Sequence, residues 1–258
     1  MRPSDPDPLL VTDLALAQRL ELAEAKAGAS FVEARARSSP ESGAQWIQVA
    51  GGGRAMFDTP TSPATQTFGL GLFGEVTDAE MERIENFFLE RGAPVFHEVS
   101  PLADAALLPL LNERGYKPVE FTNVMHRPIG RGISLTVPRK ERIQARLMEE
   151  KERELWTSVM ARGWSEFPEH AASIREMGEI SSQMAGAVSF FAEMDRQPIA
   201  TAVLCLLDTV AVLAGARQTP GARIEGGEGG RWRVAVTVAL AVLAGLEGDP
   251  RLVPVAML

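Results

Sequence analysis

The chain has 258 residues, of which 45% are apolar and 23% are charged. This is the composition of a globular protein that can bury a core, as one large domain or two small ones. The 34 acidic and 26 basic residues give a net charge of −8, which argues against a nucleic-acid partner, since that binding needs a basic surface. A single cysteine, Cys205, excludes an intrachain disulfide, and three histidines argue against a zinc site.

The sequence contains no segment that predicts export or membrane insertion. Residues Met1 to Pro8 lack the apolar stretch of a secretory signal. The longest apolar run, Val234 to Leu246, spans 13 residues, whereas a membrane helix needs about 20. We therefore expect a cytoplasmic protein with no membrane partner.

Residues 1–130 are predicted to form a first unit that begins with a helix over Leu14 to Arg35, rich in Ala, Leu and Glu. Thr77 and Glu80 have the spacing of a capping box, which predicts a helix that starts there and stops at Gly92. The remaining predicted elements of this unit are strands at 46–49, 54–57, 65–73, 94–99 and 119–125, and a helix at 103–114.

A boundary is predicted at residues 128–132, where two glycines follow a proline, so that residues 131–258 form a second unit. We predict a strand at 133–137, a charged helix or helix pair at 140–162, helix at 167–184, and strands at 187–193, 198–205 and 209–216. A Pro/Gly-rich loop over 219–230 precedes the apolar run at 234–246, which fits a buried helix or strand, and 253–258 is a candidate fifth strand. The two units share an element order without sharing sequence, which indicates an architectural duplication.

Four segments carry a family resemblance, namely Gln197-Pro-Ile-Ala-Thr-Ala-Val-Leu, Val210-Ala-Val-Leu-Ala-Gly-Ala216, Thr219-Pro-Gly-Ala-Arg-Ile-Glu-Gly226 and Leu111-Asn-Glu-Arg-Gly-Tyr116. Together they resemble the GNAT superfamily of N-acetyltransferases. The first segment is similar to the third strand of that fold, the second to its fourth strand, the third to the turn that follows, and the last to the end of the fold. The resemblance extends from about Leu14 to Glu228.

The resemblance implies an α/β fold of two GNAT-like domains, each a mainly antiparallel twisted mixed sheet flanked by helices. The first domain would be degenerate, because no Arg-x-x-Gly turn follows Phe73. It also implies acetyl-CoA as co-substrate and transfer of an acetyl group to a primary amine of a small molecule or peptide. The implied acyl and pantetheine residues are Gly215, Ala216, Arg217 and Gln218, and the implied diphosphate residues are Arg223, Ile224, Glu225, Gly226, Gly227 and Glu228.

The chemistry of such a turn is consistent with that assignment. Pyrophosphate needs several converging donors, which a glycine-bearing turn and a helix N-terminus supply through backbone N–H groups. Arg223 would add a guanidinium fork, and the pantetheine amides need an unpaired strand edge. A flexible glycine-rich loop without a ligand is the alternative interpretation.

Two features depart from the superfamily pattern. Glu228 stands where the pattern has Gly or Ala, and Glu225 adds a second negative charge to the same turn. The sequence also ends after one further candidate strand, where the pattern continues with a helix and two strands. A truncated, catalytically silent binding or interaction module is therefore the second hypothesis, and a homodimer is left open.

No catalytic residue is assigned from the sequence. Glu193 and Asp195 flank a predicted hairpin turn near the expected substrate side, where one of them would serve as general base or both would be solvated. His97 and Glu98 are neighbours on a predicted strand and should point to opposite faces, which argues against an acid–base pair. Cys205 lies in an apolar strand and is expected to be unreactive.

Overall fold

The structure is a computed structural model that describes residues 12–128, 143–165, 167–219 and 255–257. Its helices are α1 (Leu14–Ser38), α2 (Asp78–Leu89), α3 (Leu107–Glu113), α4 (Arg153–Gly163) and α5 (Ala171–Ser181). Its strands are β1 (Gln45–Val49), β2 (Gly53–Phe57), β3 (Gln66–Phe68), β4 (His126–Pro128), β5 (Ile143–Leu147), β6 (Ala187–Met194), β7 (Gln197–Leu207), β8 (Val210–Gln218) and β9 (Val255–Met257). None of the described helices has the length and apolar character needed to cross a bilayer.

The strands form two sheets. The first contains β1, β2 and β3 in sequence order with antiparallel pairing. The second has the order β4-β9-β8-β7-β6-β5 and is antiparallel except for the β8–β9 pair. The molecule is thus a mixed α/β protein with mainly antiparallel sheets flanked by helices, which confirms the predicted fold class.

Helix α1 packs against both sheets. Its residues Leu20, Ala23 and Ala27 join the core cluster that contains Trp156 of α4 and Val203 of β7. Further along, its Phe31 and Val32 pack with Met56 of β2 and Ile180 of α5. The opposite face of the first sheet is covered by α2 and α3 through the buried residues Met81, Ile84, Phe88, Leu107 and Leu111.

A buried ion pair fixes the C-terminal part of α1. Arg35 Nε donates to Asp58 Oδ1 at 2.6 Å and its Nη2 donates to Oδ2 at 3.2 Å, and both side chains are almost fully buried. The same guanidinium donates through Nη1 to Glu176 of α5. Because Asp58 follows β2 and Glu176 belongs to α5, this network links the first sheet to α5 through α1.

The hairpins of the second sheet have the turns that their sequence predicts. Asp195 and Arg196 adopt φ values of 53° and 65° between β6 and β7, as a two-residue turn with both central residues left-handed requires. Asp208 has a φ of 49° between β7 and β8. The three predicted strands of this meander are confirmed, as are the helix that became α1 and the fifth strand that became β9.

Several predicted elements in the first unit are wrong in extent. The strand predicted at 65–73 ends at Phe68, because Gly69 and Gly71 turn the chain with φ values of 75° and 74°. Residues 94–99 contribute only one bridge, between Thr67 and His97. The segment 119–125 contains no strand, and its Phe121 is 90% exposed. The helix predicted at 103–114 is confined to α3.

The charged segment 140–162 is partly a strand rather than all helix. Ile143–Leu147 alternates apolar and polar residues and pairs with β6, and α4 starts only at Arg153. Pairing at the sheet edge therefore overrides the helix propensity of its charged neighbours. The predicted strand at 133–137, the loop at 220–230 and the apolar run at 234–246 lie outside the described residues.

Candidate active site

Within the described part of the chain, strand β8 has a partner strand on both sides over its first residues and on one side beyond them. Its parallel partner β9 aligns Val255 to Met257 with Val210 to Val212. From Leu213 to Gln218 the strand keeps β7 on one side, whereas the described residues place no strand on the other. Among the described residues, the second half of β8 therefore has one unpaired edge, which is the requirement for strand-like recognition of an extended ligand.

A bulge interrupts the β7–β8 ladder within this unpaired half. Thr201 pairs with Arg217 and Val203 pairs with Ala214, so Gly215 and Ala216 together stand opposite Ala202. Gly215 has a φ of 62°, a left-handed conformation that glycine adopts without strain. Because a bulge bends the strand and redirects its backbone groups, it sets the N–H groups of this region apart from the regular ladder.

Helix α4 lies beside the bulge. A Cβ built on Gly215 would lie 3.5 Å from Met160 Cε, and Met160 belongs to the core cluster that α4 shares with Val203. Thr201 is 2% exposed, and its Oγ1 has no hydrogen-bond partner among the described residues. The bulge is thus bordered by one flexible apolar side chain and one buried hydroxyl with free hydrogen-bonding capacity.

The predicted site residues fall into two groups. Gly215, Ala216, Arg217 and Gln218 lie consecutively in the unpaired half of β8, with the first two forming the bulge. The six residues from Arg223 to Glu228 lie outside the described residues, and their binding role stays a prediction. Sequence reasoning missed the bulge, although a glycine inside a strand pattern is a recognised signal for one.

One candidate base is already engaged in an ion pair. Glu193 accepts a hydrogen bond from Arg146 Nε at 2.8 Å. The same arginine donates to both carboxylate oxygens of Glu152 at 2.6 and 2.8 Å and lies over the ring of Phe191. These carboxylates raise the pKa of Arg146, so Glu193 faces a permanent cation. Asp195, the other candidate, sits in the hairpin turn.

The first sheet contains an arrangement that resembles the β8–β9 pair. Strand β3 is followed in the chain by α2 and then by a segment around His97 that bridges to β3 in parallel. Thr67 N donates to Phe96 O at 3.0 Å, and Glu98 N donates to Thr67 O at 2.8 Å. The loop between β3 and α2 contains three glycines with positive φ, Gly69, Gly71 and Gly74. The loop follows β3 in the chain as the predicted diphosphate turn follows β8.

Several backbone groups of that loop bond to the protein itself. Gly69 N donates to Glu21 at 3.3 Å, and Leu72 O accepts from Gln18 Nε2 at 2.7 Å. Leu70 is fully buried. The start of α2 is capped by Thr77, whose Oγ1 accepts from Glu80 N. These bonds leave Gly69 N and Glu80 N unavailable to an anion.

His97 and Glu98 lie on opposite faces of the chain, as strand alternation predicts. The His97 ring packs 5.0 Å from the Tyr116 ring, and burial lowers its pKa to about 4. Glu98 interacts electrostatically with Glu21 and Glu24 of α1, and burial is the main cause that raises the pKa of Glu21 to about 7 and that of Glu24 to about 6. No local sequence pattern indicates this carboxyl cluster, because Glu98 is about 75 positions from the two glutamates of α1.

Burial also makes the single cysteine unreactive. Cys205 is 2% exposed in β7, and burial together with the charge of Glu24 raises the pKa of its thiol to about 11. A thiol with so high a pKa carries almost no thiolate at neutral pH. This agrees with the structural role expected for Cys205.

Comparison with solved structures agrees with the mixed α/β architecture described above. A GCN5-related N-acetyltransferase from Kribbella flavida superimposes with a TM-score of 0.61, covering 94% of this chain and 86% of that one at 16% identity. A functionally unknown conserved protein from Staphylococcus epidermidis gives a TM-score of 0.51 over 84% of each chain at 12% identity. No protein-family model and no curated protein matches the sequence. The chain has the GNAT fold.

Proposed function

We propose that the chain is an N-acetyltransferase that moves an acetyl group from acetyl-CoA to a primary amine of a small molecule or peptide. The observation that carries the proposal is the unpaired half of β8, Leu213 to Gln218, which contains the bulge at Gly215 and Ala216. The GNAT fold of the whole chain supports it, since this is the fold of the Kribbella flavida N-acetyltransferase.

The unpaired half of β8 suits the pantetheine arm of acetyl-CoA. The arm carries two amides, which pair with backbone groups of an open strand edge in the manner of an added strand. At the bulge, the N–H groups of Gly215 and Ala216 are the candidates to polarise the thioester carbonyl. Donors aimed at this oxygen stabilise the negative charge that develops on it during attack.

The diphosphate is assigned to the turn from Arg223 to Glu228 on sequence grounds. Backbone N–H groups of Gly226 and Gly227 and the guanidinium of Arg223 would contact the phosphate oxygens. The repulsion from Glu225 and Glu228 is on the order of 1 kcal/mol for each solvated carboxylate. We expect the turn to bind through its backbone in spite of these two charges.

The reaction needs no covalent intermediate on the protein. The amine nitrogen forms a bond to the thioester carbonyl carbon, the carbon–sulfur bond breaks, and CoA leaves as the thiol after it takes up a proton. The ammonium form must first lose a proton to a base or a water chain. Glu193 would have to leave Arg146 before it could serve as that base.

Titration calorimetry with acetyl-CoA tests the proposal. We expect micromolar binding to the wild-type chain and affinity about tenfold weaker for Arg223→Ala, because a charge-assisted contact to phosphate is lost. Arg162→Ala, which removes a guanidinium from the C-terminal turn of α4, is the matched control and should bind like the wild type. A folded wild-type chain that does not bind acetyl-CoA contradicts the proposal.

The second hypothesis, a catalytically silent module, is distinguished by turnover. The loop at residues 69–77 is a local precedent, because it joins a strand to a helix while its Gly69 N and the Glu80 N of the helix are bonded within the protein. Release of free CoA in the presence of a panel of primary amines supports the enzyme. Binding of acetyl-CoA with no release across small-molecule and peptide amines supports the silent module.

A further inference from the structure

Thr201 combines deep burial with an unsatisfied hydroxyl. The residue is 2% exposed, and Oγ1 has no hydrogen-bond partner among the described residues. A buried polar group without a partner is costly, so native proteins retain few of them, and each calls for an explanation such as a ligand that completes the hydrogen bond. Thr201 is therefore a candidate for contact with a bound molecule.

The position of Thr201 identifies where that molecule would be. Thr201 pairs with Arg217 across the β7–β8 ladder, next to the two bulged residues of β8. Thr201 is two residues from Val203 in β7, so their side chains lie on the same face of the sheet, which is the face that α4 covers. Directly opposed residues in an antiparallel pair have Cβ atoms about 5 Å apart. The Thr201–Arg217 pair is thus the neighbour, along the ladder, of the bulge where the acyl group is proposed to bind.

Gly215 leaves space between the Thr201 hydroxyl and the proposed acyl position. It has no side chain, and the position that its Cβ would take is bounded by the flexible thioether of Met160. A small acyl group held at the bulge would reach toward Thr201 with no β8 side chain from Gly215 in between. A larger residue at 215 would fill this space.

We propose that the Thr201 hydroxyl donates a hydrogen bond to the carbonyl oxygen of the acyl group bound at the β8 bulge. This inference rests on the proposed acetyl-CoA site. The hydroxyl keeps its proton throughout, and its contribution grows as negative charge develops on that oxygen. Thr201 would therefore distinguish acetyl-CoA from CoA, which has no acyl carbonyl.

Two other buried threonines provide matched controls. Thr67 in β3 is fully buried with an equally unpartnered Oγ1, but it lies in the first sheet, away from the bulge. Thr157 in α4 is also fully buried, and its Oγ1 donates to Glu154 O at 3.0 Å. Replacement by valine removes the hydroxyl from each at nearly constant shape.

The experiment measures the affinities for acetyl-CoA and for CoA, together with the Tm, in five chains: wild type, Thr201→Val, Thr201→Ser, Thr67→Val and Thr157→Val. We expect Thr201→Val to bind acetyl-CoA about fivefold more weakly, to bind CoA as the wild type does, and to keep its Tm. Thr201→Ser should retain the preference for acetyl-CoA. Thr67→Val should change neither affinity, and Thr157→Val should lower the Tm without changing the ratio of affinities.

Three results overturn the inference while leaving the proposed function in place. These are an unchanged ratio of affinities in Thr201→Val, an equal loss in Thr201→Ser, and a lowered Tm or failure to fold in Thr201→Val, which would mean that the hydroxyl already has a partner in the folded chain. A wild-type chain that binds neither ligand overturns the proposed function itself, and with it the inference.

Discussion

Each of the two sheets contains a strand that pairs in parallel with a segment later in the chain, but the backbone next to that strand differs between the sheets. In the first sheet, β3 bridges to His97, and the glycine-rich loop between them bonds to α1 and is filled by Leu70. In the second, β8 continues past its parallel partner β9 with no described strand on that edge and with a bulge at Gly215. The two sheets thus differ in how many backbone groups the described residues leave available beside the strand, and this difference is the basis of the proposed site.

Helix α1 connects the two sheets by packing against both of them. Its Leu20 packs in the cluster of the second sheet, its Val32 packs against the first, and Arg35 joins Asp58 to Glu176. A change at this helix should consequently affect the packing of both sheets.

Asp58→Asn should lower the free energy of unfolding by roughly 3 to 5 kcal/mol, because it leaves the Arg35 charge buried beside a neutral partner. The measurement is urea unfolding followed by circular dichroism, and we expect a single transition because α1 serves both sheets. Glu176→Gln is the control and should cost less than about 1 kcal/mol, since the Glu176 side chain is 57% exposed. Equal losses in the two variants contradict this account of the ion pair.

The carboxyl cluster on α1 should make the chain less stable as pH rises from about 4.5 to 7. Glu21 has its pKa raised from 4.5 to about 7 and Glu24 from 4.5 to about 6, mainly by burial, so the folded chain binds more protons than the unfolded one in this window. Glu21→Gln combined with Glu24→Gln should therefore gain roughly 2 kcal/mol relative to the wild type at pH 7.5.

The gain should disappear at pH 4.5, where both wild-type carboxyls are protonated in the folded chain. Burial lowers the pKa of His97, which adds a loss of stability below pH 6.5, but this contribution is common to both chains and cancels in their difference. A pH-independent difference in unfolding free energy between wild type and double variant contradicts the assigned shifts.

Gly215→Ala should weaken acetyl-CoA binding about tenfold, because the left-handed backbone at the bulge is strained by a side chain. Gly92→Ala is the matched control, since Gly92 has a φ of 69° and no heavy atom within 4 Å of an added Cβ. Both variants should lose about 1 kcal/mol of stability, and only the first should lose affinity. Equal affinities in the two variants would place the cofactor elsewhere.

Thr77→Ala should cost about 1 kcal/mol of stability, because it removes the side chain that caps α2. The affinity for acetyl-CoA should not change, since the first unit's loop at residues 69–77 is not expected to bind it. Asp13→Ala, which removes the cap of α1, is the control, and we expect it to cost a similar amount of stability. A change in cofactor affinity for Thr77→Ala would show that the first unit takes part in binding.

The sequence was sufficient for elements whose pattern is local. Periodicity identified α1, and apolar strands separated by Asp-containing turns identified β6, β7 and β8. It was insufficient for β5, because Ile143–Leu147 lies among charged helix-forming residues and is a strand only by pairing with β6. Residues 94–99 and 119–125 were overpredicted as strands for the converse reason, since strand propensity without a partner makes no ladder.

The candidate site was only partly accessible to sequence reasoning. Resemblance located Gly215 to Gln218, because the strand and its glycine are contiguous in the chain. The bulge and the buried hydroxyl of Thr201 depend on the register between β7 and β8, which no local pattern specifies. The same limitation hid the proximity of Glu98 to the glutamates of α1.

Amide hydrogen exchange with and without acetyl-CoA tests the central comparison most directly. We expect the ligand to slow exchange in the half of β8 with one unpaired edge, residues Leu213 to Gln218, and to leave exchange in the loop from Gly69 to Thr77 unchanged. Slowed exchange in that loop, or no change in β8 at ligand concentrations that saturate the protein, would contradict it.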